Sequence, residues 1–267
     1  AVLDANAAGG ADTIAFAIPG NGPHEIRLAS SALSPNGPLL IDGYTQAGAT
    51  PNTDATGVGS NAVLKIEVAG GAFHFFDFVS SASGITLRGL SVTGFLPPPI
   101  AGGLGFSFPN ARIEGCWFGV RPDGSEVLGN IVVVMDSIGG VFGGDTPAQR
   151  NVWVNQRAFI LNRGRATNNL FGVLPDGRSS ATVSNFQVSN GSGAALRAVS
   201  PGNNTLIDNN VFSTPIDVPA IIASNAQITD NSFGESWDGA STFNVSTAAS
   251  FVAAAAGAAI TNRLFAS

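Results

Sequence analysis

Charge is scarce in this chain. Only 11% of its 267 residues are charged, with a single lysine, Lys65, and eleven arginines that stand one at a time. The net charge is −6 and no basic run or stripe occurs, which excludes the electrostatic footprint of a nucleic-acid binder. An anionic membrane surface would repel such a chain. Histidine is almost absent, and neither His24 nor His74 has a second His or Cys at metal-ligand spacing, so zinc is disfavoured. One cysteine, Cys116, excludes an internal disulfide and leaves the redox compartment open; it reads as a buried structural thiol. No apolar run reaches the ~18 residues that a bilayer-spanning helix needs. The nearest, 248–260, is mostly alanine and too short, so no membrane insertion is expected.

What is plentiful points one way. Apolar residues make up 44% of the chain, enough for an extended core and too many for disorder. Gly 34 and Pro 15 are scattered among Val, Ile, Leu and Phe without a collagen period, the pattern of many short strands between tight turns.

The strands repeat. Phe118-Gly119-Val120-Arg121-Pro122-Asp123-Gly124 recurs 53 residues later as Phe171-Gly172-Val173-Leu174-Pro175-Asp176-Gly177, with a looser copy from Phe233 to Gly239. Six-residue units also align. They are Leu87-Arg88-Gly89-Leu90-Ser91-Val92, Ile113-Glu114-Gly115-Cys116-Trp117-Phe118 and Val183-Ser184-Asn185-Phe186-Gln187-Val188, then Ile207-Asp208-Asn209-Asn210-Val211-Phe212 and Ile228-Thr229-Asp230-Asn231-Ser232-Phe233. The last three start 24 and 21 residues apart, one coil of a solenoid each. Strict alternation would place the first and sixth residues on opposite faces. A bend at the third residue restores parity, and Gly89, Gly115, Asn185, Asn209 and Asp230 tolerate the left-handed conformation it needs. Stacked coils then place aliphatic residues above one another, with Asn210 over Asn231 as a structural amide ladder. Hairpin architectures also use Asp-Gly turns, but here both Pro-Asp-Gly sites follow the same strand at coil spacing. The fold class expected is all-β: a single-stranded right-handed parallel β-helix.

With these motifs in view, the chain resembles a bacterial family of right-handed parallel β-helix repeat proteins, distantly similar to pectate lyases and tailspikes. The resemblance rests on Ala1-Val2-Leu3-Asp4-Ala5-Asn6-Ala7, on Asp12-Thr13-Ile14-Ala15-Phe16-Ala17-Ile18-Pro19-Gly20, and on Pro38-Leu39-Leu40-Ile41-Asp42-Gly43-Tyr44-Thr45-Gln46. It continues through Ile85 to Leu90, Phe118-Gly119, Gly129-Asn130, Ile138-Gly139-Gly140 and Arg150-Asn151-Val152, covering roughly residues 1–235. It implies an exported or cell-surface protein, in a family mostly without assigned chemistry. It also implies that residues 1–7 end a short capping helix begun upstream, with a signal peptide removed.

Residues suited to catalysis are thinly spread. Hydrolases of such folds need paired carboxylates beside the sugar, and lyases a calcium cage of carboxylates with a nearby base. No Asp-Asp pair exists, and Asn52-Thr53-Asp54 matches only part of a polygalacturonase motif. Glu67, Asp77, Arg88 and Glu114 form the best constellation, with Glu67, Asp77 and Arg88 expected to face outward together; a solvated salt-bridged face explains them without chemistry. His74 lies among Phe73, Phe75, Phe76 and Phe78 and reads as packed; His24 begins a turn into a strand. Asp123 and Asp176 read as turn residues bonding their own backbone rather than calcium ligands. No catalytic residue, metal site or cofactor is nominated, and no binding residue is fixed.

Three function classes follow. The first is an extracellular scaffold for binding, adhesion or surface assembly. The second is a carbohydrate-active enzyme, a polysaccharide lyase or glycoside hydrolase, or a carbohydrate-binding relative in which exposed Trp117, Trp153 and Trp237 stack on sugars. The third is a subunit that self-associates through its open ends. The expected partners are polysaccharides or other cell-surface components, or further copies of the chain. The β-helix is expected over 1–245, its last strand at Ser241-Thr242-Phe243-Asn244-Val245. A cap or linker follows over 246–267, expected as a helix over 248–259 begun by Ser246 or Thr247, or as a segment that docks on a partner.

Overall fold

The computed structural model describes residues 1–28, 33–55, 58–70, 82–94, 103–105, 108–127, 131–134, 139–154, 156–158, 160–161, 164–182, 196–198, 205–213, 221–223, 226–233, 252–254 and 259–264. One short helix, Val2–Ala8, precedes strands that pair in parallel throughout three sheets. The helix lies where the expected cap stands, and Val2 and Ala5 pack against the core beneath it.

The largest sheet has 16 strands and consists of two stacks joined at a corner. The first stack runs Asp12–Ala15, Leu39–Asp42, Thr86–Arg88, Arg112–Glu114, Val141–Gly143, Arg165–Thr167 and Thr205–Asp208. The second runs His24–Arg27, Ile66–Ala69, Ser91–Thr93, Trp117–Phe118, Val152–Trp153, Leu170–Phe171 and Val211–Phe212. Ala226–Phe233 passes through the corner and pairs with both. Further parallel strands form two smaller sheets, Gly103–Gly105 with Ile131–Val134 and Gln156–Ala158, and Ile160–Leu161 with Leu196–Ala198, Ile221–Ala223 and Val252–Ala254. The chain visits the stacks in the same order again and again, an arrangement compatible with a parallel β-helix.

The core lies between the stacks. Leu87, Ile113, Phe142, Ala166, Ile207 and Ile228 line the inner face of the first stack, all fully buried and in register. Val92, Phe118, Trp153, Phe171, Phe212 and Phe233 line that of the second. Burying each of the larger aliphatic and phenylalanine side chains among them contributes roughly 1.5–3 kcal/mol. The first and sixth residues of each described six-residue unit therefore both point inward, as the bend requires.

That bend is present. Gly89, Gly115, Asn209 and Asp230 have φ of 66°, 62°, 59° and 50°, joined by Asn168 at 58°. At Gly89 and Gly115 glycine is also demanded by space. A Cβ on Gly89 would meet the Tyr44 ring at 2.7 Å, and one on Gly115 would meet the Tyr44 hydroxyl at 2.4 Å. The unit Val183 to Val188 lies outside the described residues. Arg165–Thr167 pairs directly with Thr205–Asp208, so Asn169 is followed in the stack by Asn210, 41 residues on.

The C-terminal expectation is corrected. Within the segment read as a helix, Val252–Ala254 is a strand, and Ala259–Leu264 is another. They pair with Ile221–Ala223 and Ala226–Phe233. Alanine's helix preference amounts to a few tenths of a kcal/mol per residue, and an open sheet edge offers a whole ladder of backbone hydrogen bonds instead. Ser246, Thr247 and the strand expected at Ser241 to Val245 lie outside the described residues.

Candidate functional site

The outer face of the first stack carries the charge. Asp42, Arg88 and Glu114 are register neighbours on successive strands. The Arg88 guanidinium grips Asp42 with both prongs: Nε donates to Oδ1 at 3.1 Å and Nη2 donates to Oδ2. That hydrogen bond, against the opposing effect of partial burial, holds Arg88 above its ordinary pKa. Glu114 accepts from Arg112 Nε at 3.1 Å and from Gln149 Nε2 at 3.2 Å. Further along, Arg165 donates to Thr167 Oγ1 at 2.8 Å and forms a two-pronged pair with Asp145. Asp208 accepts from Thr229 Oγ1 at 2.6 Å. Each of these carboxylates has a partner within its own chain.

Of the four residues proposed as a constellation, the structure brings Arg88 and Glu114 onto one row. Glu67 does not join them. It is on the outer side of the second stack, as its parity requires, but buried there, where it accepts from Thr93 Oγ1 at 2.5 Å and faces Arg121 at 3.7 Å. Asp77 lies outside the described residues, as do His74 and Trp237. Asp42 is the member that sequence reading missed. Its Asp-Gly sequence looked like a turn, and the turn is real, since Oδ1 also accepts from the Tyr44 amide at 3.1 Å. Only the 46-residue coil that brings it beside Arg88 reveals the pair. The Tyr44 hydroxyl donates to the Gly115 carbonyl at 3.0 Å, and burial raises its pKa.

Neither Trp117 nor Trp153 offers an exposed sugar platform. Trp153 is fully buried within an aromatic column, its ring stacked 3.9 Å from Phe118 and 6.4 Å from Phe171. The column continues to Phe212 at 4.8 Å and Phe233 at 5.0 Å. Trp117 is buried on the outer side of the second stack, in an apolar cluster with Ala62, Leu64, Val120, Val152 and Leu170. The expectation of exposed rings fails at both positions: Trp153 points into the core between the stacks, and Trp117 lies on the outer side beneath the apolar cluster that includes Ala62 and Leu64.

Other candidates resolve into structure. Asn52 is buried, and its Oδ1 accepts from the amides of Asp54 and Asn61 at 3.1 and 3.0 Å, so the partial polygalacturonase motif is a loop lock. Asp123 accepts from the Ser125 amide at 2.8 Å, and Asp176 from the amides of Arg178 and Ser179 at 2.9 and 2.8 Å. Hydrogen bonds from Ser125 lower the pKa of Asp123; at Asp176 burial pulls upward and the bonds from Ser179 and Arg178 prevail. His24 opens the strand His24–Arg27, with Nε2 buried and without a hydrogen-bond partner. Cys116 is buried, and burial pushes its thiol up to about 12. Among the described residues, no three His, Cys, Asp or Glu side chains converge as a metal site would require.

The corner between the stacks holds the most developed polar array, and sequence reading found half of it. Asn151, Asn169, Asn210 and Asn231 are stacked and buried. Asn151 Nδ2 donates to Asn169 Oδ1 at 3.0 Å, Asn169 Nδ2 to Asn210 Oδ1 at 2.9 Å, and Asn210 Nδ2 to Asn231 Oδ1 at 2.9 Å. Each also donates to a carbonyl of the first stack: Ile113, Phe142, Ala166 and Ile207 respectively. Full satisfaction makes the array structural rather than reactive. No protein family, curated protein or solved structure matches this chain.

Proposed function

We propose that the chain is a right-handed parallel β-helix serving as a non-catalytic scaffold, exported or held at the cell surface, that displays its outer faces to a polysaccharide or another surface component. One observation carries this reading. The outward carboxylates of the first stack are engaged pairwise with Arg88, Arg112, Arg165, Gln149 and Thr229. A glycosidase needs two carboxyl groups turned toward one sugar, and a lyase needs several around a cation. Carboxylates engaged in this way suit a surface that presents shape and hydrogen-bonding groups.

Incubation with uronate and neutral polysaccharides tests the reading. No rise in ultraviolet absorbance and no new reducing ends are expected, while sedimentation with insoluble polysaccharide or cell-wall material retains the protein. Turnover of any of these polymers overturns it.

A further inference from the structure

Residues 50–55 and 58–63 form a lobe over the second stack. Its neck is closed by two backbone bonds: the Thr50 amide donates to the Val63 carbonyl at 3.0 Å and the Val63 amide to the Thr50 carbonyl at 2.9 Å. Inside it, Asn52 Oδ1 takes the amides of Asp54 and Asn61, and Asn61 Nδ2 donates to Asp54 Oδ1 at 2.9 Å. The lobe is thus held together by its own hydrogen bonds.

Its polar attachments to the rest of the molecule are few. Asn52 Nδ2 donates to the Pro147 carbonyl at 3.0 Å, and the Ser60 amide to the Pro175 carbonyl at 2.6 Å. The others converge on Arg150. This guanidinium, 1% exposed, donates to the carbonyls of Asp54 at 3.4 Å, Ala55 at 3.1 Å and Gly59, while its Nε donates to Asn168 Oδ1 at 3.0 Å. A buried guanidinium facing main-chain carbonyls is a pin, since removing it leaves several acceptors without a donor. Beneath the lobe, Ala62 and the adjoining Leu64 belong to the cluster of Trp117, Val120, Val152 and Leu170.

We propose that this lobe is a latch: a unit pinned by Arg150 that opens at its Thr50–Val63 neck while the stacked strands stay folded, uncovering the apolar outer face of the second stack. An opening of this kind is a sub-global transition, with its own free energy below that of global unfolding. The seat is as specific as the pin. Gly59 has φ of 109°, and a Cβ there would lie 2.6 Å from the Pro175 carbonyl oxygen and 2.7 Å from Asp176.

Native-state hydrogen exchange on the intact chain tests the proposal. The Ser60 amide reports the latch, and the Val152 amide, bonded to the Cys116 carbonyl at 3.0 Å, reports the strands. In the parent protein Ser60 is expected to exchange through an opening with little denaturant dependence, and Val152 only with global unfolding. Arg150→Gln should speed Ser60 by about tenfold or more and leave Val152 within about twofold. Gly59→Ala, which spoils the seat and keeps the pin, should do the same. Equal denaturant dependence of Ser60 and Val152 in the parent overturns the latch, a result that needs no variant to fold. So does a Gly59→Ala protein whose two amides accelerate together.

Discussion

The corner between the two stacks is built in two ways along one chain. At two of its earlier layers the residue just before the second-stack strand is apolar: Leu90 before Ser91–Thr93 and Cys116 before Trp117–Phe118, both fully buried. From Asn151 onward the same place holds four asparagines in succession. The inner column beside it changes almost together, from Val92 to Phe118, Trp153, Phe171, Phe212 and Phe233. Leucine fills a corner by volume and leaves the local backbone groups to find partners among themselves. Asparagine fills it by valence, supplying those groups with partners and passing one bond to the next layer. The first solution tolerates approximate shape, and the second tolerates no gap in the sequence of amides.

Replacing one member of each kind should expose the difference. Asn169→Leu deprives the Asn169 site of its bonds to the carbonyls of Phe142 and Thr167, and to Asn151 and Asn210. With several buried groups orphaned, a loss of about 4 kcal/mol or more is expected in urea melts. Leu90→Ala leaves no polar group unpaired and should lose about 2–4 kcal/mol, chiefly from the cavity. If the two losses come out in reverse order, the valence argument is wrong.

Cys116 marks the changeover, and its amide donates to Asn151 Oδ1 at 2.9 Å. Burial lifts its thiol from 9.0 to about 12 in the folded protein. The unfolded chain therefore loses this proton first, so stability is intact below about pH 8.5 and declines as pH rises from there toward the folded value. Chemical denaturation should show a loss of about 1–2 kcal/mol by about pH 10 that Cys116→Ala abolishes. An unchanged alkaline slope in the variant would place the loss elsewhere. The smallest effect is expected outside the corner altogether. Asp208→Asn, on the partly exposed outer row, should shift stability by no more than about 0.5 kcal/mol, and a larger change would make the outer ladder a structural element of its own.

Much of this was legible before any coordinates. Period and bend placed Leu87, Ile113, Ile207 and Ile228 inside, and paired Asn210 with Asn231, because a stacked coil repeats its chemistry at a spacing that short coils preserve. Asn151 and Asn169 escaped for the opposite reason. Arg150 replaces the usual bend residue before Asn151, and although Asn168-Asn169 repeats the form of Asn209-Asn210, the coil that separates them runs to 41 residues. The charged row was half legible. Arg88 and Glu114 share a unit alignment, whereas Asp42 lies across a 46-residue coil and Glu67 faces outward on the other stack, buried beside Thr93 and Arg121. Composition misled in two places: tryptophan suggested an exposed platform where Trp117 and Trp153 are buried, and alanine suggested a helix where an open sheet edge recruits strands.

The asparagine column has a sense of direction. Asn151, Asn169 and Asn210 each donate to the side-chain oxygen of the next asparagine, ending at Asn231, and within the column each oxygen accepts only from the asparagine before it. Reversing one amide would set nitrogen against nitrogen on one side and oxygen against oxygen on the other, so the four orientations are a single choice made once for the whole column. A coil threaded out of step brings the wrong side chain to this position and breaks the chain of donors. The corner thereby ties register to hydrogen bonding, since a misaligned layer leaves buried amides unpaired, a penalty that an aliphatic column does not impose.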